Sequence, residues 1–309
     1  MSATTRRKDA DPLYVGPAPD RPFYATGMLL DASDFLDEQT YHRGRLAHAL
    51  AFLSGGGTLA GLRVSHAPAA ADHAEEIRVA AGLAVDRIGR LIELPRPACL
   101  RLERWWEAPG GRDAGDVLTQ AAYDDPGRFV SARAVAEAGV GGAPAMPTRA
   151  IVADIYLRFV ACERGYTQSF ASGPYDALDS VATARLRDAY ELQLLVRHGL
   201  DTDDPDAPHL GLPSTGVVLE GSEDERRAAM QDAVLAAWPE RGHAGQPDEL
   251  PPLAEHVTGN DPTSQWLARV LIPVLAGDPP ERDGSGVLVD NWPRRFVPSS
   301  QLLQRWVGL

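Results

Sequence analysis

A histidine inside a predicted helix, His42, has the surroundings that come nearest to a chemical site in this chain. Glu38 lies one helical turn earlier, a spacing at which a carboxylate can orient the imidazole. A metal site needs a second ligand nearby, but His48 follows six residues later and faces elsewhere. A metal-binding or catalytic His42 is therefore one of three hypotheses for this helix.

The other two hypotheses concern a stripe along one helical face that contains His42. Its positions alternate in steps of four and three residues, the spacing of a single face. The stripe is apolar at both ends with a polar pair in the middle, and comprises Phe35, Gln39, His42, Leu46, Ala49 and Leu53. Either Gln39 and His42 are hydrogen-bonded inside a core, or the stripe is a subunit interface whose polar pair fixes the register.

Motifs of established catalytic chemistry are missing from the sequence. There is no Gly-x-Ser-x-Gly, His-Glu-x-x-His, P-loop or dinucleotide-binding fingerprint. The Gly55–Gly57 triplet follows a predicted helix instead of opening one, so it does not form a phosphate cradle. Cys99 and Cys162 lie in apolar, strand-like runs, which predicts two free, buried thiols. We therefore predict no catalytic residues, no metal and no cofactor.

The helix over residues 34–53 and the strand after it are the elements that position the stripe. Asp31 or Ser33 is placed to cap the helix, and the Gly55–Gly57 triplet ends it. Residues 58–65 alternate in a way that predicts one strand. The helix is expected to pack across the sheet to which this strand belongs.

Short strands separated by turn residues follow this first strand. Asp86 and Arg87 fit either a tight turn, with Gly89 at positive φ, or a catalytic acid beside a positive charge. The density of strands predicts a small antiparallel sheet or barrel. The predicted strands are residues 77–80, 82–86, 91–94 and 99–102.

The second half of the chain predicts a further antiparallel unit. Residues 151–162 form its most regular predicted strand, and pairing with residues 188–197 would place Arg158 opposite Glu191. The remaining predicted elements are a capped helix over 222–238, a buried strand over 265–275, its partner over 287–291, and a last helix over 301–307.

Together these patterns predict an α+β fold with two units. An N-terminal helix packs on a small antiparallel sheet, and a second, mainly antiparallel β unit with covering helices follows. The predicted divisions are a flexible arm over 1–22, the first domain over 23–105, an irregular insertion over 106–149 and the second domain over 150–309. Residues 242–262 read as a linker within the second domain.

Two further features have a functional and a structural interpretation. Trp105 and Trp106 form either a platform for stacking sugars or a pair divided between a core and its rim. The acidic loop over 199–213 loosely resembles a calcium loop, but Leu212 stands where an EF-hand has its bidentate glutamate. We reject an EF-hand there and retain a weak surface cation site as the alternative.

Composition limits the classes of partner. The net charge of −13 argues against nucleic acid as a general partner, because binding to phosphates needs clustered Lys and Arg. No apolar run is long enough to span a membrane. Residues 1–20 are polar and lack the apolar region of a secretory signal. We therefore expect a cytoplasmic protein, free or assembled into a particle.

A recurring module lies between Tyr24 and Leu102. The module reads Tyr24-x-x-Gly27-Met28-Leu29-Leu30-Asp31, Asp34-Phe35, Glu38-Gln39-x-Tyr41-His42-x-x-Arg45-Leu46, Gly57-x-x-x-Gly61-Leu62-x-Val64, and Gly82-Leu83-Ala84-Val85-Asp86-Arg87-x-Gly89-Arg90-x-Ile92. With these motifs it resembles uncharacterised proteins encoded in gene clusters for phage-tail-like contractile injection systems, with a weaker similarity over 151–197 and 266–309.

The resemblance implies a baseplate-associated or other accessory component of such a particle, and it implies no defined chemistry. The expected function is thus a non-enzymatic structural one, with baseplate, spike or sheath proteins as partners and with homo-oligomers as a further option. The alternative is a tip or fibre-like module that recognises a glycan or a surface receptor. The six tryptophans and the loops between strands suit that alternative.

Overall fold

The structure, a computed structural model, describes residues 20–107, 114–168, 181–198, 200, 220–237, 250 and 253–307. A helix precedes several antiparallel sheets, which confirms the predicted α+β class. The first elements are α1 (Ala32–Leu53), β1 (Gly57–Gly61), β2 (Val64–Ala67), β3 (Glu76–Val79), β4 (Gly82–Val85), β5 (Leu91–Leu94), β6 (Ala98–Arg101) and α2 (Leu102–Glu107).

The later elements build the largest sheet. They are α3 (Ala114–Thr119), β7 (Ala122–Asp124), a 3-10 helix (Pro126–Phe129), α4 (Ala132–Glu137), β8 (Arg149–Gln168), β9 (Val181–Val196), α5 (Glu223–Ala236), β10 (Gln265–Leu275), β11 (Glu281–Arg282), β12 (Leu288–Asp290) and α6 (Ser300–Val307). No helix among the described residues is both long and apolar enough to cross a membrane.

Local sequence signals fix both ends of α1. Asp31 is the capping residue: its carboxylate accepts hydrogen bonds from the N–H groups of Ser33 and Asp34. The Asp34 carboxylate in turn accepts from the Asp31 N–H, which completes a capping box. At the other end Gly55 adopts φ +70°, as predicted for the glycine triplet.

Small residues carry the contact between α1 and the rest of the chain. The buried positions of α1 include Gly44, Ala47 and Ala51. Gly89, in the turn between β4 and β5, lies against this face at φ +88°, and a Cβ placed on it would be 1.7 Å from the Ala47 carbonyl oxygen. The helix therefore approaches the β4–β5 turn more closely than a side chain at this glycine would permit.

The predicted single strand over 58–65 is wrong. Gly61 and Leu62 both adopt positive φ, +64° and +56°, so the chain turns there and divides into β1 and β2. β1 belongs to a sheet of order β1-β4-β5, and β2 to a sheet of order β2-β3-β6. The Leu62 side chain is fully buried, and the Arg294 guanidinium donates a 2.7 Å hydrogen bond to the Leu62 carbonyl oxygen.

The central sheet is built around β8. Its order is β11-β10-β8-β7, with β9 also paired to β8 and β12 paired to β10. The register places Arg158 opposite Glu191, as predicted, and the two side chains form an ion pair. The predicted strand over 265–275 is confirmed as β10, and its side chains are buried from Gln265 to Val274.

One hydrophobic core joins both predicted domains. It contains Ile77 and Ile92 from the first segment together with Ile155 and Leu271 from the second. The predicted insertion also contributes, because β7 pairs with β8 and Phe129 is part of the same core. The domain boundaries at 105 and 150 stay a prediction.

Candidate functional site

The predicted interface stripe of α1 lies on the surface. All six residues, Phe35, Gln39, His42, Leu46, Ala49 and Leu53, have exposed side chains. The interpretation of Gln39 and His42 as a polar pair inside a core is therefore wrong. The physical reason is that α1 buries a different face, the one that carries Gly44 and Ala47. The interface hypothesis stays a prediction.

A metal or catalytic role for His42 has no supporting geometry in the described part of the chain. The His42 imidazole stacks edge to face with the Tyr41 ring, with their centroids 5.5 Å apart. The Glu38 carboxylate, which was expected to orient His42, accepts a 2.7 Å hydrogen bond from the Tyr24 hydroxyl. Among the described residues, no cluster of three or more His, Cys, Asp or Glu side chains is arranged to hold a metal ion.

Further large apolar side chains are exposed on α1 and in the segment before it. Leu29 is 94% exposed and Phe23 is 82% exposed, both in the segment that leads into α1. Leu53, the last residue of α1, is 86% exposed. Large exposed apolar side chains mark an interaction site where they form one patch. The set consists of Phe23, Tyr24, Met28, Leu29, Leu30, Phe35, Leu36, Leu46 and Leu53, and we call it the apolar α1 surface.

The two candidate sugar-stacking tryptophans lie on α2 and pack against the core. Both indole rings are half-buried, and Trp105 Nε1 donates a 2.7 Å hydrogen bond to the Leu194 carbonyl oxygen. The Arg282 guanidinium lies 5.9 Å from the centroid of the Trp106 ring. This packing agrees with the interpretation of a core and its rim, and stacking on a sugar stays a prediction.

A polar cleft that the sequence did not indicate lies between β8–β9 and residues 256–261. Its volume is about 430 Å³, and it is lined by Arg158, Gln193, Arg197, His198, His256, Asn260 and Asp261 together with smaller and apolar groups. The sequence assigned residues 242–262 to a linker because they are rich in Pro, Gly and acids. That prediction is wrong for residues 253–262, where Glu255, His256 and Asp261 are buried.

A buried ion triad shares Arg197 with the lining of this cleft. The Asp154 carboxylate accepts from Arg269 Nε at 2.9 Å and from Arg197 Nε, and Arg269 Nη1 also donates to the Phe129 carbonyl at 2.7 Å. Burial by itself would raise the pKa of Asp154, but the charges of Arg269 and Arg197 outweigh it and hold that pKa below its ordinary value. Asp154 is thus an ionised structural anchor.

The His256 imidazole is also held in place by its hydrogen-bond partners. His256 Nδ1 accepts from the Leu253 N–H at 3.4 Å, so Nε2 carries the proton and donates to the Ser264 carbonyl at 3.0 Å. Burial lowers the pKa of His256, which favours this neutral form. Tyr156 is fixed as well: its hydroxyl contacts the Glu255 carbonyl, and burial raises its pKa.

Arg158, Asn260 and Asp261 line another part of the cleft. Arg158 Nε donates to Glu191 at 2.7 Å, and its guanidinium lies 3.9 Å from the Asp261 carboxylate. Asp261 also accepts from the N–H and hydroxyl of Thr263 at 3.0 and 2.8 Å. Asn260 Nδ2 is buried without a hydrogen-bond partner among the described residues. Among the described residues that line it, the cleft offers polar anchoring points but no nucleophile hydrogen-bonded to a base.

The turn interpretation of Asp86 is confirmed. Its carboxylate accepts from the N–H groups of Ile88 and Arg90 at 3.1 and 2.8 Å, and from Arg90 Nε at 2.6 Å. Burial raises the pKa of Asp86 although the Arg90 charge opposes the shift. Arg90 Nη2 also donates to Thr263 at 3.0 Å, which ties this turn to the segment before β10.

Two remaining predictions concern the cysteines and the acidic loop. Both cysteines are free, as predicted, but Cys99 is exposed and Cys162 is only partly buried, so the prediction of buried thiols is wrong for Cys99. The edge position of β6 explains the exposure of Cys99, because β6 pairs only with β3 among the described strands. The proposed weak cation site around Asp201 lies outside the described residues.

Two charged residues in apolar strands, Asp154 and Arg269, were the signals in the sequence that pointed to buried polar groups near the cleft. Asp154 and Arg269 interrupt strands that are otherwise apolar, and such charges are rarely buried unless they are paired. Alternation along β8 places Asp154 on the face opposite Ile155, and the structure buries both faces of β8 at this point. Comparison of the chain with protein-family models and with curated proteins gives no match.

Proposed function

We propose that this chain is a non-enzymatic structural component of a phage-tail-like contractile injection particle, associated with its baseplate and assembled in the cytoplasm. The observation that carries the proposal is the apolar α1 surface, which lies within the segment that resembles such components. In this proposal it contacts baseplate, spike or sheath proteins. A protein whose role is assembly needs a surface that is stabilised only after a partner covers it.

The bonding of the titratable residues around the cleft supports a structural role. Asp154, His256 and Asp86 have their polar atoms engaged by hydrogen bonds or ion pairs within the chain. A catalytic group needs an atom that can reach a substrate, whereas side chains engaged in this way stabilise the fold. The cleft therefore supports the fold of the component in this proposal.

The exposure of its large side chains makes the apolar α1 surface suitable for an interface. A specific interface buries about 800 Å² on each partner and has large apolar side chains at its centre. Phe23, Leu29 and Leu53 are each more than four-fifths exposed in the chain by itself. The polar pair Gln39 and His42 within this surface would fix the register against a partner.

Particle association tests the proposal directly. Contractile particles are sedimented from the native host, and the chain is quantified in the pellet for the wild type and for Leu46→Glu/Leu53→Glu. We expect the wild type in the pellet and the variant in the supernatant, because two carboxylates cannot be buried in an apolar contact without partners. A matched control, Val234→Glu/Leu235→Glu on α5, alters residues that are equally exposed and should still sediment.

Two outcomes would contradict the proposal. A wild-type chain that never sediments with the particles would remove the particle role. A Leu46→Glu/Leu53→Glu variant that sediments as the wild type does would remove the α1 surface from assembly. Light scattering of the purified chains, wild type and Gln39→Leu/His42→Leu, adds a separate readout, because a change in oligomer mass would place the polar pair in a contact between copies.

A further inference from the structure

The hairpin of β8 and β9 extends beyond the sheet to which it belongs. β10 pairs with β8 only from Ala150 to Leu157, whereas β9 pairs with β8 as far as Gln168. Roughly eleven residues of β8 therefore run past the end of β10, a length of about 36 Å. In the part of the chain that the structure describes, no third strand pairs with this ribbon. Two-stranded ribbons are marginally stable alone, so a ribbon of this length benefits from a binding partner.

Three arginines share one face near the end of the ribbon. The register sets Arg164 opposite Arg185 and Cys162 opposite Arg187, and residues directly opposite each other in an antiparallel pair point to the same side. All three arginine side chains are exposed, and none forms an ion pair with a described residue. We call this set, Arg164, Arg185 and Arg187, the arginine face. Like charges directly opposite each other destabilise a strand pair, so an anion bound here would relieve a repulsion.

The opposite face of the ribbon meets other elements of the chain at two residues. Asp188 lies on that side, 3.8 Å from the Arg43 guanidinium of α1. Tyr190 lies on the same side and packs against the hydrophobic core. Nearer the end of the ribbon that side is exposed as well, since Leu186 is 44% exposed. The difference between the two faces is therefore one of charge: the arginine face carries three arginines that form no ion pair with a described residue.

We propose that the arginine face binds an acidic segment of a partner protein. Arg185 and Arg187 are two positions apart on one strand, about 6.8 Å, which is also the distance between alternate side chains of an extended peptide. Carboxylates at alternate positions of such a peptide can therefore each meet one guanidinium fork. Nucleic acid fits less well, because tight phosphate binding draws on more basic contacts than three arginines supply.

This inference does not depend on the particle role. The arginine face lies on the ribbon, and the variants that test the apolar α1 surface change none of its residues. A chain that never sediments with particles can still bind an acidic segment here, and a chain that sediments normally can fail to do so.

Peptide binding with matched variants tests the proposal. A labelled peptide of alternating Glu and Ala residues is titrated with the full chain, and binding is followed by fluorescence anisotropy at low and high salt. We expect salt-sensitive binding that Arg185→Gln/Arg187→Gln weakens roughly tenfold. Arg226→Gln/Arg227→Gln on α5 removes the same charge from another exposed site and should change the affinity by less than about twofold.

A second readout uses the two free cysteines. Cys162 lies on the arginine face opposite Arg187, whereas Cys99 lies on β6. The bound peptide should slow thiol labelling of Cys162 and leave Cys99 unchanged. Unfolding midpoints of both double variants are measured first, and relief of the repulsion at Arg185 is expected to leave the fold intact.

Three results would overturn the inference. The first is equal affinity for a peptide with Gln in place of Glu. The second is an affinity that Arg185→Gln/Arg187→Gln leaves unchanged, together with labelling of Cys162 that the peptide does not slow. The third is tighter binding of single-stranded DNA with the same number of charges, which would identify a nucleic acid as the partner.

Discussion

Removal of the charge at Asp154 should destabilise this protein more than the loss of any surface ion pair. The substitution Asp154→Asn keeps the shape of the side chain but leaves Arg269, which is fully buried, and Arg197, which is nearly so, without a counter-charge. At an effective dielectric constant of about 20, two unit charges about 4 Å apart attract by about 4 kcal/mol, and Asp154 makes two such pairs. Retained amide hydrogen bonds and partial hydration recover part of this energy, so we expect a net loss of about 3–5 kcal/mol.

Equilibrium unfolding in urea measures this loss. The matched control is Glu223→Gln, because Glu223 pairs with Arg227 on the exposed surface of α5 and its loss should cost less than about 1 kcal/mol. The pH dependence gives a second check. Since the folded-state pKa of Asp154 is lowered, its contribution is complete above the unfolded pKa of about 3.9 and is lost as pH falls through the folded value. The gap between wild type and Asp154→Asn should therefore close in strong acid.

A small effect would refute this reasoning. If Asp154→Asn costs no more than Glu223→Gln, the buried guanidinium groups do not depend on the carboxylate, and the triad is not an anchor of the cleft. A large effect that is independent of pH would assign the loss to packing instead of charge.

Three further predictions concern Gly89 in the β4–β5 turn, His256 in the cleft and Trp105 on α2. Gly89→Ala should lower the free energy of unfolding in urea by more than about 2 kcal/mol, because the new Cβ would lie 1.7 Å from the Ala47 carbonyl oxygen. An unchanged urea midpoint would contradict the close approach of α1 to this turn. Burial lowers the pKa of His256, so its contribution to stability is complete above the unfolded pKa of about 6.5 and declines as pH falls below that value. His256→Gln should therefore make the free energy of unfolding less dependent on pH in mild acid. An unchanged pH dependence would contradict the assignment of this effect to His256. Trp105→Phe should cost about 1 kcal/mol through loss of the 2.7 Å hydrogen bond to Leu194, measured in the same assay, and a neutral effect would show that water replaces this bond.

Elements with strong local signals could be predicted from the sequence. The capping box predicted at Ser222 forms, and Asp31, one of the two predicted caps of α1, forms another, since the residues that make each box are three positions apart. β10 was also predictable, because an apolar run of that length between turn residues fits a buried strand. The pairing of Arg158 with Glu191 followed from alternation in two neighbouring strands and their opposite charges.

The polar cleft could not be predicted from the sequence, because it depends on contacts between distant segments. Its polar groups come from β8, β9, the residues just after β9 and residues 256–261, and no local pattern records which distant segments meet. Residues 253–261 have the composition of a linker, yet Glu255, His256 and Asp261 are buried, and the Glu255 carbonyl contacts Tyr156 and Arg197. A segment of this kind owes its order to tertiary hydrogen bonds, and sequence composition carries no information about those.

The sequence by itself determined the helices α1 and α5 with their caps, the strand β10 and the turn at Asp86, because these depend on residues a few positions apart. Only the tertiary structure decided where the chain changes sheet and which face of α1 is buried. The Leu62 backbone turns at positive φ because Arg294 and Asn291, more than two hundred residues later, bind the carbonyl of Leu62 and the backbone of Val64. The stripe of α1 stays exposed because Gly44 and Ala47 permit the opposite face of the helix to approach the β4–β5 turn closely. Which face is buried depends on this packing, and the periodicity of the helix does not determine it.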